Sequence, residues 1–102
     1  MPESGNVVHT VLIKLKDGVT DEQVEHLRSE IATLTSVPGV RAISSGRTFT
    51  TARAGGYSFG ISVELENKEA LSVYASHPDH VRVKDEALLP LTDDLVALDW
   101  VH

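Results

Sequence analysis

A chain of 102 residues, with nine Lys and Arg against fifteen Asp and Glu for a formal charge of −6, has length for one domain and one core of moderate size. The acidic balance argues against a phosphate-backbone footprint and against a basic helix lying on a lipid surface, so neither nucleic acid nor membrane is an expected partner. Without cysteine there is no disulfide framework, iron–sulfur cluster or thiolate metal site, and with neither a secretory signal pattern in Met1 to Asn6 nor an apolar run of spanning length, a cytoplasmic protein is expected.

Val7, His9, Val11, Ile13 and Leu15 alternate with Val8, Thr10, Leu12, Lys14 and Lys16, the period of two that marks a strand, with His9 on its more apolar face. Asp17-Gly18 makes a turn. Thr20 followed by Gln23 is a capping-box signature, and Val24, Leu27, Ile31 and Leu34 form a helical stripe that must stop before Pro38. Pro38-Gly39 introduces a second, weaker strand from Val40 to about Ser45, ended by Gly46. Arg47 to Gly56 read as a mobile hairpin loop of the kind that covers a site.

Tyr57, Phe59, Ile61, Val63 and Leu65 alternate with small or polar residues and predict the clearest strand. Asn67 caps a helix carrying Ala70, Leu71, Val73 and Tyr74, and a second helical piece runs from the His77-Pro78-Asp79-His80 turn toward Leu88 and Leu89, limited by Pro90. Leu95 to Val101 form a last strand, apolar on both sides and expected to be buried on both faces.

The order β-α-β-β-α-β defines an α+β, ferredoxin-like domain over residues 6–102, following a flexible stretch at residues 1–5. Its four-stranded antiparallel sheet carries the helices on one face. The other face needs cover, and the same face of a second copy supplies it, so a homodimer is expected.

Tyr74-Ala75-Ser76-His77-Pro78-Asp79-His80 places a phenol and two imidazoles around a proline-fixed turn. His takes and returns a proton near neutral pH and Tyr donates to a developing oxyanion, which is the equipment of acid/base catalysis. At the start of the helix after Pro78, the positive helix terminus would disfavour the His80 imidazolium and keep the ring a free base. Asp, Pro and His also serve as ordinary helix-start residues, so the stretch equally fits a turn that closes one helix and opens the next. On that alternative His80 bonds to backbone, Tyr74 is a core aromatic and His9 a satisfied core histidine. His77, which precedes Pro78, is biased to an extended conformation that suits a structural role. A metal site at His77, Asp79 and His80 is not favoured, because ligands flanking a proline seldom converge on one ion. Arg41, Arg47 and Arg53 are side chains able to receive a carboxylate or phosphate.

Four signatures in order, namely Val8 to Leu15, Val37-Pro38-Gly39-Val40, Gly56-Tyr57 and Tyr74-x-x-His77-Pro78-x-His80, make the chain similar to the stress-responsive dimeric α/β-barrel family, often called Dabb. The resemblance covers nearly the whole length. It implies a dimeric barrel and, from a plant cyclase of that family, cofactor-independent aldol closure of a poly-β-ketone. The matched motif places the oxyanion donor at Tyr74 and the general base at His80, with substrate contacts at His9, Tyr57, Phe59 and His77. Phe59 stands where that enzyme has a histidine, a departure that bears on substrate and ring-closing regiochemistry.

The expected function is therefore a polyketide cyclase-like enzyme, needing no cofactor or metal, that acts on a small poly-β-keto substrate by intramolecular aldol or related proton-transfer chemistry. The alternatives are a non-enzymatic stress-responsive dimer and, with thinner support, a haem or quinol monooxygenase. A cavity between helices and sheet favours the enzyme, and close-packed side chains there favour the non-enzymatic dimer.

Overall fold

The computed structural model describes residues 6–102, so the expectation of flexibility at residues 1–5 lies outside the described residues. Four strands, β1 (Val7–Leu15), β2 (Val40–Arg47), β3 (Phe59–Leu65) and β4 (Thr92–Val101), form one antiparallel sheet in the order β2-β3-β1-β4. Helix α1 (Asp21–Ala32) lies between β1 and β2, and helices α2 (Lys68–Ser76) and α3 (Pro78–Val83) lie between β3 and β4. This is the ferredoxin-like arrangement.

The helix starts follow from local chemistry. The Thr20 hydroxyl accepts from the Gln23 N–H at 3.1 Å and the Gln23 side chain accepts from the Thr20 N–H at 2.8 Å, a reciprocal capping box. α1 tightens into a 3₁₀ turn over Thr33–Ser36 before Pro38. The Asn67 side chain caps α2 by accepting from the Ala70 N–H at 2.8 Å. α3 passes into a π-helical turn at Lys84–Leu88 and a 3₁₀ turn at Leu89–Leu91 that contains Pro90. Among the described residues no helix is long and apolar enough to cross a membrane.

The core lies between the helices and one face of the sheet. Val7, Val11 and Ile13 of β1 and Phe59, Ile61, Val63 and Leu65 of β3 are buried there against Val24, Leu27 and Ile31 of α1 and Ala70 and Tyr74 of α2. Register follows the alternation: Val7 pairs with Leu65, Val11 with Ile61 and Ile13 with Phe59, which puts all of them on the helix side.

Three boundaries differ from the sequence reading. β2 continues through Gly46 to Arg47, because Gly46 pairs with Gly60 and Arg47 with Phe59, and a backbone ladder needs no side chain to extend it. β3 begins at Phe59, leaving Tyr57 in the loop, although the Ser58 N–H still donates to the Ile13 carbonyl at 2.8 Å. β4 starts at Thr92 and is not buried on both faces: it is an edge strand with Leu98 62% and Trp100 49% exposed. Val96, Leu98 and Trp100 pair with Leu12, Thr10 and Val8 and share the outer face of the sheet, which no helix among the described residues covers.

The turn into β2 depends on Gly39. Its φ of +89° is left-handed, and a Cβ there would stand 2.6 Å from Ala70 Cβ on α2. Gly18 has φ +84° with nothing within 4 Å of an added Cβ. Gly18→Ala therefore carries conformational strain alone, about 1–2 kcal/mol. Gly39→Ala carries the same strain plus a steric overlap, so its Tm falls further, where each kcal/mol corresponds to about 4–8 °C in a domain of this size. Equal losses for the two variants in thermal melts would mean that α2 shifts to accommodate the methyl.

Candidate active site

His77 stands between α2 and α3 with extended backbone, φ −63° and ψ 135°. Its N–H donates to the Tyr74 carbonyl at 3.2 Å, ending α2, and its Nδ1 accepts from the Asp79 N–H at 3.1 Å, starting α3. Pro78 occupies the first helical position, where the missing N–H is no loss. A break of one residue thus joins the two helices, and His80 comes back against the end of α2, its Nδ1 3.0 Å from the Ala75 carbonyl oxygen. A carbonyl only accepts, so this bond places the proton of the neutral ring on Nδ1 and leaves Nε2 as the basic nitrogen.

His80 and Tyr74 line a cavity of about 150 Å³ between the helices and the sheet. Their ring centroids are 4.4 Å apart at an interplanar angle of 44°. His9 of β1 lies on the other side of Tyr74, 6.0 Å between centroids and edge-on at 64°. Val11, Ile61 and Leu95 of the sheet, Ile31 of α1 and Leu34 of the 3₁₀ turn after it make most of the remaining wall apolar.

Burial pushes the Tyr74 phenol up to about 12, so it remains a neutral hydrogen-bond donor at physiological pH. The Tyr74 hydroxyl bonds to no described residue, and no buried side-chain oxygen or nitrogen is left without a partner, so its oxygen meets the accessible space of the cavity. His80 is lowered from its ordinary value of 6.5, chiefly by burial. The Ala75 hydrogen bond opposes that shift, the charges of Lys84 and His9 add to it, and Asp85 opposes it. Desolvation thus holds the His80 ring as a free base at neutral pH, a condition that the sequence reading assigns to the start of α3. His9 Nδ1 is hydrogen-bonded to the Asp99 carboxylate, directly across the β1–β4 ladder, which fixes the orientation of the His9 ring.

Tyr74, His80 and His9 are brought together on this wall, whereas the other sequence candidates lie elsewhere. Tyr57 donates to Asp94 at 3.0 Å, under a Lys14 ammonium 4.9 Å from its ring centre. Phe59 is fully buried in the core and, with Tyr57, borders a separate groove beside Leu12 and Gly60 under the 48–58 loop, so that loop does not close over the cavity. His77 serves as the cap between helices and does not line the cavity. Arg47 bonds to the Val19 carbonyl and Asp21, Arg41 is exposed on β2, and Arg53 borders the loop groove. Among the described residues no group of three or more His, Asp or Glu is placed to hold a metal ion.

Two residues escape the sequence reading. Asp99 shares a strand face with Leu95 and Ala97, and that alternation is the available signal, but its pairing with His9 depends on the β1–β4 register. Lys84 lines the cavity one turn beyond His80, an i, i+4 spacing readable in the sequence once His80 is placed inward.

Comparison with known proteins extends this picture. Residues 7–102 match the family described as Stress responsive A/B Barrel Domain. A stress-response A/B barrel domain-containing protein of Arabidopsis thaliana is 34% identical over 98% of this chain and 38% of its own length. The chain thus spans less than half the length of the first curated relatives it matches. Olivetolic acid cyclase of Cannabis sativa is 28% identical over 78% of this chain and 80% of its own. A dimeric ferredoxin-like protein from Thermobifida fusca superimposes with a TM-score of 0.84 at 24% identity, covering 100% of this chain and 95% of that one.

Proposed function

The chain belongs to the stress-responsive A/B barrel family, and from that premise we propose that it is a cofactor-independent proton-transfer enzyme of the aldol or cyclase type acting on a small poly-β-keto substrate. The observation that carries the reading is the pairing of a free-base His80, its proton fixed on Nδ1 by Ala75, with a Tyr74 phenol 4.4 Å away in one cavity. The likeness to olivetolic acid cyclase supports the same class of chemistry.

An aldol closure needs a base for the carbon between two carbonyls and a donor for the oxygen that becomes charged. His80 Nε2 takes that proton, and the Tyr74 hydroxyl donates to the enolate oxygen. The enolate carbon then forms a bond to a remote carbonyl carbon of the same poly-β-keto chain, whose C=O π bond opens to an alkoxide that recovers the proton from the His80 imidazolium. His9, held by Asp99, orients that remote carbonyl from the sheet side. An apolar cavity of about 150 Å³ is of the size that takes a benzene-sized body, which matches the six-membered ring such a closure makes.

Deuterium incorporation at the carbon between the two carbonyls of hexane-2,4-dione, followed by NMR, isolates the first step. His80→Ala lowers the catalysed rate by about 10²–10⁴-fold and Tyr74→Phe by about 10²–10³-fold, with both variants melting like wild type. Because neutral His80 is the active form and its pKa is lowered, the rate falls with decreasing pH through a midpoint below 6.5. Equal exchange with wild type, His80→Ala and no protein returns the reading to a non-enzymatic stress-responsive dimer.

The same proposal includes a homodimer formed through the outer sheet face. Leu12, Val96, Leu98 and Trp100 are exposed there in a single chain, and the Thermobifida fusca neighbour is described as dimeric. Leu98→Asp is expected to convert a sedimenting dimer to monomer while preserving the helix content seen by circular dichroism. A wild-type chain that sediments only as monomer overturns this assignment.

A further inference from the structure

Lys84 is the cationic Lys or Arg side chain on the cavity wall, among His9, Tyr74, His80 and aliphatic residues, and no carboxylate lines that wall. It lies one turn after His80, at the start of the π-helical turn over Lys84–Leu88, and it shares a helix face with His80 and with Leu88, all of which border the cavity. Arg28, Arg47 and Arg82 each pair with a carboxylate, at 3.0, 3.3 and 3.0 Å. Lys84 forms no ion pair with any described residue, and it is partly buried.

A partly desolvated cation without a protein partner favours an anion that brings its own apolar body into the cavity. The surroundings sharpen the requirement. A chain of net charge −6 repels anions at long range, so a carboxylate is drawn in only by direct contact with a local cation, and this wall offers Lys84. The influence of its charge on His80 agrees with proximity between the two side chains.

We propose that Lys84 is the anion-recognising residue of this cavity, so that its ligand is a small carboxylate with a ring-sized or short-chain carbon body, a β-keto acid in preference to a neutral diketone. The β-keto part of that identity rests on the reading of His80 and Tyr74 as base and donor. The carboxylate part rests on Lys84 alone.

Isothermal titration with benzoate and benzamide, two bodies of nearly equal shape that differ in charge, tests it at pH 8, where His80 is neutral. Wild type is expected to bind benzoate about tenfold or more tightly than benzamide. Lys84→Met removes that preference and retains benzamide binding, which reports an intact cavity, and Lys84→Arg keeps the preference. Equal affinities in wild type, absence of benzoate binding to wild type, or an undiminished preference in Lys84→Met each overturns the proposal. Pairing this titration with the deuterium-exchange assay separates the two readings. Absence of an anion preference, with His80-dependent exchange intact, removes Lys84 recognition alone. A Lys84-dependent preference in a protein lacking His80-dependent exchange removes the enzymatic reading alone.

Discussion

β1 turns Val7, Val11 and Ile13 toward the helices and Val8, Thr10 and Leu12 to the opposite side, and the described residues supply helices for only one of these sides. That imbalance shapes the rest of the molecule. On the helix side, α1, α2 and the α3 region bury the alternating residues of β1 and β3 and complete a core with no buried polar or charged residue among those described. On the other side, β4 adds Val96, Leu98 and Trp100 to an apolar surface left open at the sheet edge, and burial of such a surface is the dominant favourable term in association. The fold and the apolar face it leaves open therefore arise from the same period-two pattern.

Within the covered side, the helices do not fill the space over the middle of the sheet. Ala97 is small, Leu95 sits at its rim, and the gap between β1, β4 and α3 remains as the cavity. That space opens to solvent on the β4 side, where Leu95 and Ala97 are exposed. A phenol and two imidazoles border it, each constrained by a specific bond or by burial: His80 by the Ala75 carbonyl, His9 by Asp99, and Tyr74 by the packing of α2 on the sheet. Pro78 underlies the first of these. By separating α2 from α3 at a single residue, it lets a side chain of the second helix reach a carbonyl at the end of the first.

The sequence by itself determined the element order, the capping of α1 by Thr20 and Gln23, the helix break at Pro78 and the membership of Tyr74 and His80 in one turn, because these are local interactions spanning a few residues. It also identified which residues share a strand face, since side chains alternate strictly along a strand. Ends of strands were less legible: Gly46 looks like a terminator but is held in the sheet by Gly60 across the ladder, and β4 looks buried until its edge position is known. Tyr57, Phe59 and His77 show the same limit, for each carries suitable chemistry yet points its contacts to Asp94, the core or the helix cap. The tertiary structure alone decided that His9 meets Asp99, that Lys84 faces the same space as His80, and that burial is the chief cause lowering the His80 pKa. Those outcomes depend on strand register, on which face of the helix after Pro78 turns toward the sheet and on the solvent excluded by distant segments, and none of these is encoded within the few residues around the groups they affect.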